Sequence, residues 1–262
     1  MKTLPFHQVD AFSDRPFAGN PAIVYRLDAW LPDARMQQIA AEHNLAETAF
    51  VVREGQGWRI RWFTPQEEVP LCGHATLAAA KVLFDAYQEP GDCLSLQSQS
   101  GELRVRRLGE RLELDFPALA GEPITAPAGL AKALGHEPET VLSGRDSLLV
   151  VLADETAVRT CAPDLKALAA LPWLGVIVTA RGTDHDVVSR YFAPAIGIDE
   201  DPVTGAAHCM LVPYWAQRLG RAELRAYQCS QRGGELLCRV EGERVRLAGH
   251  AVLVSRGELL VG

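Results

Sequence analysis

The chain has 262 residues, 48% of them apolar and 23% charged, and 26 Lys and Arg stand against 33 Asp and Glu for a formal charge of −7. These fractions sit at globular averages and exclude a disordered, collagenous or coiled-coil chain; the length allows one large domain or two modest ones. Interspersed charges with no basic run argue against nucleic acid or an anionic membrane as a partner.

The N-terminal stretch from Met1 to Asp10 lacks the apolar segment and small-residue cleavage pattern of a signal peptide. No run of about 18 uncharged apolar residues offers a membrane span. The six cysteines, Cys72, Cys93, Cys161, Cys209, Cys229 and Cys238, form no CxxC pair, so reduced thiols and a cytoplasmic location are the expectation.

Along the chain, Asn20 to Tyr25 reads as a short β-rich run. Asp33 to Asn44 follows as a helix with Met36, Ile39 and Ala40 on one face. Strands are predicted over Thr48 to Val52 and through Arg61-Trp62-Phe63, then a helix from Gly73 to Phe84 that is apolar on nearly every side. Three alternating strands (Ser95 to Gln99, Glu102 to Arg107, Arg111 to Phe116) are divided by turn signals at Gly101 and Gly109-Glu110. Pro117 to Gly129, with its prolines and glycines, reads as a linker.

The same order then recurs. Ser147 to Leu152 is β-rich, and Pro163 to Leu171 reads as a helix with Leu165, Leu168 and Ala169 on one face. Gly175 to Thr179 and the segment through Arg190-Tyr191-Phe192 read as strands, and Gly205 to Ala216 as a second all-round apolar helix, with Pro213 expected to kink it or weaken one backbone bond there. Strands over Glu223 to Cys229, Glu235 to Glu241, Arg244 to Leu247 and Ala251 to Ser255 close the chain. Two passages fix the correspondence: both run Arg-aromatic-Phe-x-Pro, an acidic stretch, then Pro-x-(Cys or Thr)-Gly-x-Ala. They lie 129 residues apart at Arg61 and Arg190, and 132 apart at Pro70 and Pro202. A helix without a polar face must be surrounded. The expected fold is therefore α+β, with two pseudo-symmetric domains, each a curled β-sheet or barrel around one central helix. The expected halves are residues 1–117, with room for the last few C-terminal residues to pack back on them, and 130–262, with the active site between the two.

Each apolar helix begins at a glycine, Gly73 or Gly205. A helix start presents open N–H groups and the positive end of the helix dipole, and glycine lets an anion approach them closely. Such starts suit a carboxylate, or the enolate-like charge left when a proton departs from the carbon beside one. Glu47, between an apolar helix and an apolar strand, is the candidate proton carrier, because a partly buried carboxyl is placed to take and return a proton.

The segments Asp10-Ala-Phe-Ser-Asp-Arg-Pro-Phe-Ala-Gly-Asn-Pro-Ala, Asn44-Leu-Ala-Glu-Thr-Ala-Phe, Phe63-Thr-Pro with Leu71-Cys-Gly-His-Ala-Thr, Asp199-Glu-Asp-Pro-Val-Thr-Gly and Ser230-Gln-Arg-Gly-Gly together resemble the PhzF-like proteins of phenazine biosynthesis, over nearly the whole chain. The resemblance implies the diaminopimelate-epimerase fold, a homodimer, and cofactor-independent isomerisation by proton transfer on a small carboxylate-bearing metabolite. It places Glu47 at the family's proton-shuttling glutamate, His74 and Asp201 among polar residues lining the substrate pocket, and Gly73 and Gly205 at the helix starts. The family often has serine after the second Thr-Gly, where this chain has Ala206. A hydroxyl contact to substrate is thereby lost, and the substrate of the phenazine enzyme itself is not implied.

Two other readings bear on the same residues. Epimerases of this fold use a thiol at each helix start. Cys72 holds one such place, where a helix N-terminus could lower its pKa, but Thr204 holds the other. A non-catalytic binding or interaction module on the same fold is the second, favoured by Ala206 and disfavoured by the presence of Glu47, His74 and Asp201. No HExxH, zinc-finger spacing, P-loop or GxGxxG is present, so neither a metal nor a nucleotide cofactor is expected.

Overall fold

A computed structural model describes residues 2–261, with Lys2 described through its backbone alone. The chain divides into two compact units, residues 1–115 with 248–262, and residues 116–247. In the first lie β1 (Lys2–Ala11), β2 (Asn20–Leu27), α1 (Asp33–His43), β3 (Glu47–Glu54), β4 (Gly57–Phe63), β5 (Glu68–Val69), α2 (Gly73–Asp85), β6 (Cys93–Ser98) and β7 (Gly101–Leu108). The chain leaves it within β8 (Arg111–Pro117). The second unit holds β9 (Glu122–Pro123), α3 (Leu130–Leu134), β10 (Thr140–Ser143), β11 (Ser147–Val151), α4 (Glu155–Thr160), α5 (Leu165–Ala169), β12 (Gly175–Arg181), β13 (Val187–Ala193), β14 (Ile198–Asp201), α6 (Gly205–Leu219), β15 (Glu223–Gln228) and β16 (Gly234–Glu241). Within β17 (Arg244–Gly249) the chain returns to the first unit, which it completes with β18 (Ala251–Val261).

The two units share one pairing scheme. In the first, β2 runs parallel to β3, β3 antiparallel to β4, β4 antiparallel to β5 and parallel to β6, and β6 antiparallel to β7. In the second, β11, β12, β13, β14, β15 and β16 repeat those relations in the same order. The register gives residue-level equivalence. Thr48 faces Phe63 as Val176 faces Phe192, and Trp62 faces Val69 as Tyr191 faces Asp201. The α+β duplication is thus carried by strand pairing, beyond the two short motifs.

Each apolar helix is enclosed within its own unit. α2 packs on β1, β2, β3 and β18, and α6 on β11, β15 and β16. All of His74 to Ala80 and Val82 to Phe84 is buried, as is most of α6. A second apolar layer in the first unit joins Met36, Ile39 and Ala40 of α1 to Tyr25, Phe50 and Phe63 of the sheet. The matching layer in the second joins Leu148, Val150, Val176 and Val178 to Val158 and Leu168 of α4 and α5.

Three sequence expectations need correction. Pro117 to Gly129 is no linker. Its residues belong to the second unit, where β9 pairs with β10, and the N–H groups of Leu119 and Ile124 bond the carbonyls of Cys209 and Val141. Ala251 to Ser255 does not close the second half, because β18 runs antiparallel along nearly all of β1 in the first unit. The helix expected over Pro163 to Leu171 is shorter, α5 from Leu165 to Ala169, with α4 a separate short helix before it. Pro163 disfavours helical backbone in the residue before it, and Asp154 and Asp164 each cap a new start by accepting from Ala157 and Ala167. At Pro213 the second of the two expected outcomes holds, a backbone bond given up while α6 runs unbroken to Leu219. A proline there leaves the carbonyl four residues back without its helical donor, and the Leu119 N–H supplies one to Cys209 at 2.9 Å.

Candidate active site

Strand β3 opens with Glu47, and α2 opens directly after the buried Cys72 with His74 in its first turn. Packing α2 on β3 brings these side chains together. His74 Nε2 lies 3.2 Å from Glu47 Oε2, with their side chains only 6% and 14% exposed. The other ring nitrogen, Nδ1, lies 3.2 Å from Asn20 Nδ2 and 3.5 Å from Cys72 Sγ. The Thr76 hydroxyl and N–H both return to the Cys72 carbonyl, which fixes the first turn. No side chain caps α2, so the Gly73 and His74 amides at its start remain open to a ligand.

The electrostatics of the cluster follow from burial and neighbours. Burial acts to lower His74, but the adjoining Cys72 and Glu47 outweigh it and hold the imidazole well above its ordinary value. Cys72 moves the other way. Burial first, then the Glu47 charge, pushes its thiol up, so the lowering expected from a helix N-terminus does not prevail. With a neutral thiol at Nδ1, the Glu47 carboxylate is the charged neighbour that raises the His74 value. Glu47, Cys72 and His74 offer donor atoms within 4.8 Å of one another, a set of types that binds divalent metals. The ring, however, presents Nδ1 to the thiol and Nε2 to the carboxylate.

Asn20 is a site residue that sequence reasoning quoted but did not assign. It is fully buried and follows a loop built around backbone of positive φ at Phe12, Phe17 and Gly19. Asp10 Oδ2 accepts the Phe17 N–H at 2.7 Å within that loop. A Cβ at Gly19 would overlap the Ala11 carbonyl oxygen, so this close approach requires glycine. The signal was a Gly-Asn-Pro at the head of an apolar strand.

Asp201, Gly205 and Ala206 make up the equivalent corner of the second unit. The Thr204 hydroxyl donates to Asp201 Oδ2. Gln228, fully buried, accepts the Thr204 N–H at 2.8 Å and donates to the Asp201 carbonyl at 2.7 Å. Ser230 donates to the Pro202 carbonyl at 2.8 Å. Gln228 was also missed. Its signal was a polar residue at an inward position of an alternating strand, after Leu224 and Ala226. The strand register makes Gly175 the equivalent of Glu47 in the second unit, and a Cβ there would overlap the Tyr191 hydroxyl. Ala206, exposed, stands where the first unit has His74. The duplicated corner therefore has neither a counterpart of Glu47 nor one of His74, and carries Asp201 instead. One turn into α6, His208 is fully buried, with Nδ1 donating to the Thr204 carbonyl at 2.8 Å. Burial pushes it down to about 4, which marks a neutral core residue.

Residues 9–257 match the family model described as phenazine biosynthesis-like protein. The chain belongs to the phenazine biosynthesis-like (PhzF) family. An uncharacterized isomerase of Pseudomonas aeruginosa is 66% identical, with 98% of each chain covered. The crystal structure of a PhzF-family protein from Enterococcus faecalis superposes with a TM-score of 0.97 at 49% identity, covering 99% of this chain and 100% of that one. A hydroxyproline epimerase from Agrobacterium vitis superposes with a TM-score of 0.64 at 8% identity, over 98% of this chain and 92% of that one, a likeness of fold. This PhzF-family chain is an isomerase on an epimerase-like α+β fold. Among its described residues no helix is long and apolar enough to cross a membrane.

Proposed function

We propose that Glu47 moves a proton between carbons of a small carboxylate-bearing metabolite, without a cofactor. The carrying observation is the enclosed pair formed by Glu47 Oε2 and His74 Nε2 at 3.2 Å, beside an uncapped helix start. The carboxylate takes the proton from a carbon next to an electron-withdrawing group and returns it to another. His74 holds the acceptor oxygen and compensates its charge. The open amides of Gly73 and His74 face the charge that develops on the substrate, where fixed donors act with no reorganisation during the step.

Incubating candidate acids in deuterated water tests this. Wild type is expected to incorporate deuterium at carbon, Glu47→Gln to lose about 10²- to 10⁴-fold of that rate, and Cys72→Ser to retain most of it. Loss in Cys72→Ser with unchanged exchange in Glu47→Gln would instead assign the chemistry to the thiol.

A further inference from the structure

A cavity of about 460 Å³ opens at the C-terminal end of α2, lined by His7, Lys81, Val82, Tyr87, Leu253 and Arg256 among others. The helix rises about 1.5 Å per residue, so the eleven residues from His74 to Asp85 set this cavity roughly 16 Å from the Glu47 pair, at the other end of the same helix.

Its polar wall is built by strand register. His7 and Arg256 are direct partners in the β1 to β18 ladder, which puts their side chains on one face, and α2 packs on both strands. His7 is 9% exposed, and its Nδ1 is enclosed with no hydrogen-bond partner among the described residues. Burial, then the charge of Arg256, holds His7 below its ordinary value, leaving a neutral ring whose buried nitrogen lacks the bond such atoms normally have. Asp85 is held by Lys81 at 2.7 Å and Arg107 at 3.7 Å. Arg256 has no acidic partner among the described residues. Of the groups that line the cavity, two cations, Lys81 and Arg256, stand against one carboxylate, Asp85, a local positive surplus in a chain of charge −7. The other walls are apolar or aromatic. The Tyr87 ring meets His7 edge to face with centroids 5.7 Å apart, and Val82 and Leu253 lie beside it.

We propose that this cavity is a second ligand site, which takes a small planar organic anion with its carboxylate on Arg256 and Lys81 and its ring against Tyr87, Val82 and Leu253. Surplus positive charge selects the anion. The apolar and aromatic walls favour a flat carbon body over a bare inorganic ion, because a few placed polar groups in an otherwise apolar pocket fix such ligands.

Benzoate is the probe, titrated into the full chain while the ring protons of His7, Tyr87 and His74 are followed by NMR. The expected result is a saturable shift of His7 and Tyr87 with His74 unmoved, about tenfold weaker binding in Arg256→Glu, and near-normal binding in Arg256→Lys. Inorganic phosphate is expected to bind about tenfold more weakly than benzoate; equal binding would overturn the planar-ligand assignment. No saturable shift of His7 by ~20 mM benzoate, a weak-binding ceiling, or unchanged binding in Arg256→Glu, would overturn the site. Shifts at His74 alone would place benzoate with Glu47 and overturn it too. The outcome is independent of deuterium exchange, so its failure leaves the reading of Glu47 untouched.

Discussion

Glu47 and His74 are 27 positions apart in sequence, and each supplies what the other's burial would otherwise forbid. An isolated buried charge shifts toward its neutral form, whereas a paired one can persist. The raised His74 value has a definite sign in stability. Protons bound more tightly in the folded state stabilise it fully below the unfolded value of about 6.5, and the gain fades as pH rises through the folded midpoint. The NMR titration of His74 should therefore show a midpoint above 6.5 in wild type. Glu47→Gln removes the charge that holds it there, leaves the lowering by burial, and should bring the midpoint down. A midpoint unmoved by that substitution would remove Glu47 as the cause. Of these residues, Glu47, Gly73 and His74 were legible in the sequence because each sits in a short motif. The behaviour of Cys72 was not, since a helix start and burial act on a thiol in opposite directions, and only the fold decides how deeply the sulfur lies.

The elements show the same division between local and distant causes. The loop from Phe12 to Gly19 holds three residues at positive φ and ends on the Asn20 that touches His74, so its backbone geometry reaches the site through one side chain. Gly19→Ala should cost more than the roughly 1–2 kcal/mol of left-handed backbone alone, because the added methyl meets the Ala11 carbonyl, and should lower the isomerisation rate by displacing Asn20. Gly91, also at positive φ but with nothing near its would-be Cβ, provides the control: Gly91→Ala should cost about the backbone term and leave activity unchanged. Thermal denaturation and rate measurements on both variants check this. Strands β2, β3, β4 and both apolar helices were readable from period and turn residues, to within a few positions. The extent of α5 was less so: apolar spacing over Leu165, Leu168 and Ala169 matches a helix, but Pro163 and the capping Asp164 fix a late start. The outcome at Pro213 in α6 was unreadable for another reason. The donor that answers Pro213 comes from Leu119, 94 positions earlier.

At the scale of the molecule, the duplicated pairing scheme gives each unit its own strands, central helix and core, and β18 completes the first unit from the far end of the sequence. Amide hydrogen exchange should find β18 protected together with β1, its ladder partner across ten residue pairs. Protection of β18 that instead tracked β16 would contradict the division into units. The sequence alone determined that there are two copies of one α+β plan, where their apolar helices start, and which residues begin them, because these rest on periodicity, turn chemistry and motif order within short windows. Tertiary structure decided the rest. It set which unit owns residues 117–129 and the last strand, the pairing of Asn20 and Glu47 with opposite edges of the His74 ring, and the absence of counterparts to Glu47 and His74 at Gly175 and Ala206. The physical reason is common to all of these. Hydrogen-bond registers and buried charge pairs join positions far apart along the chain, so their partners and depth exist only once the strands have chosen their neighbours.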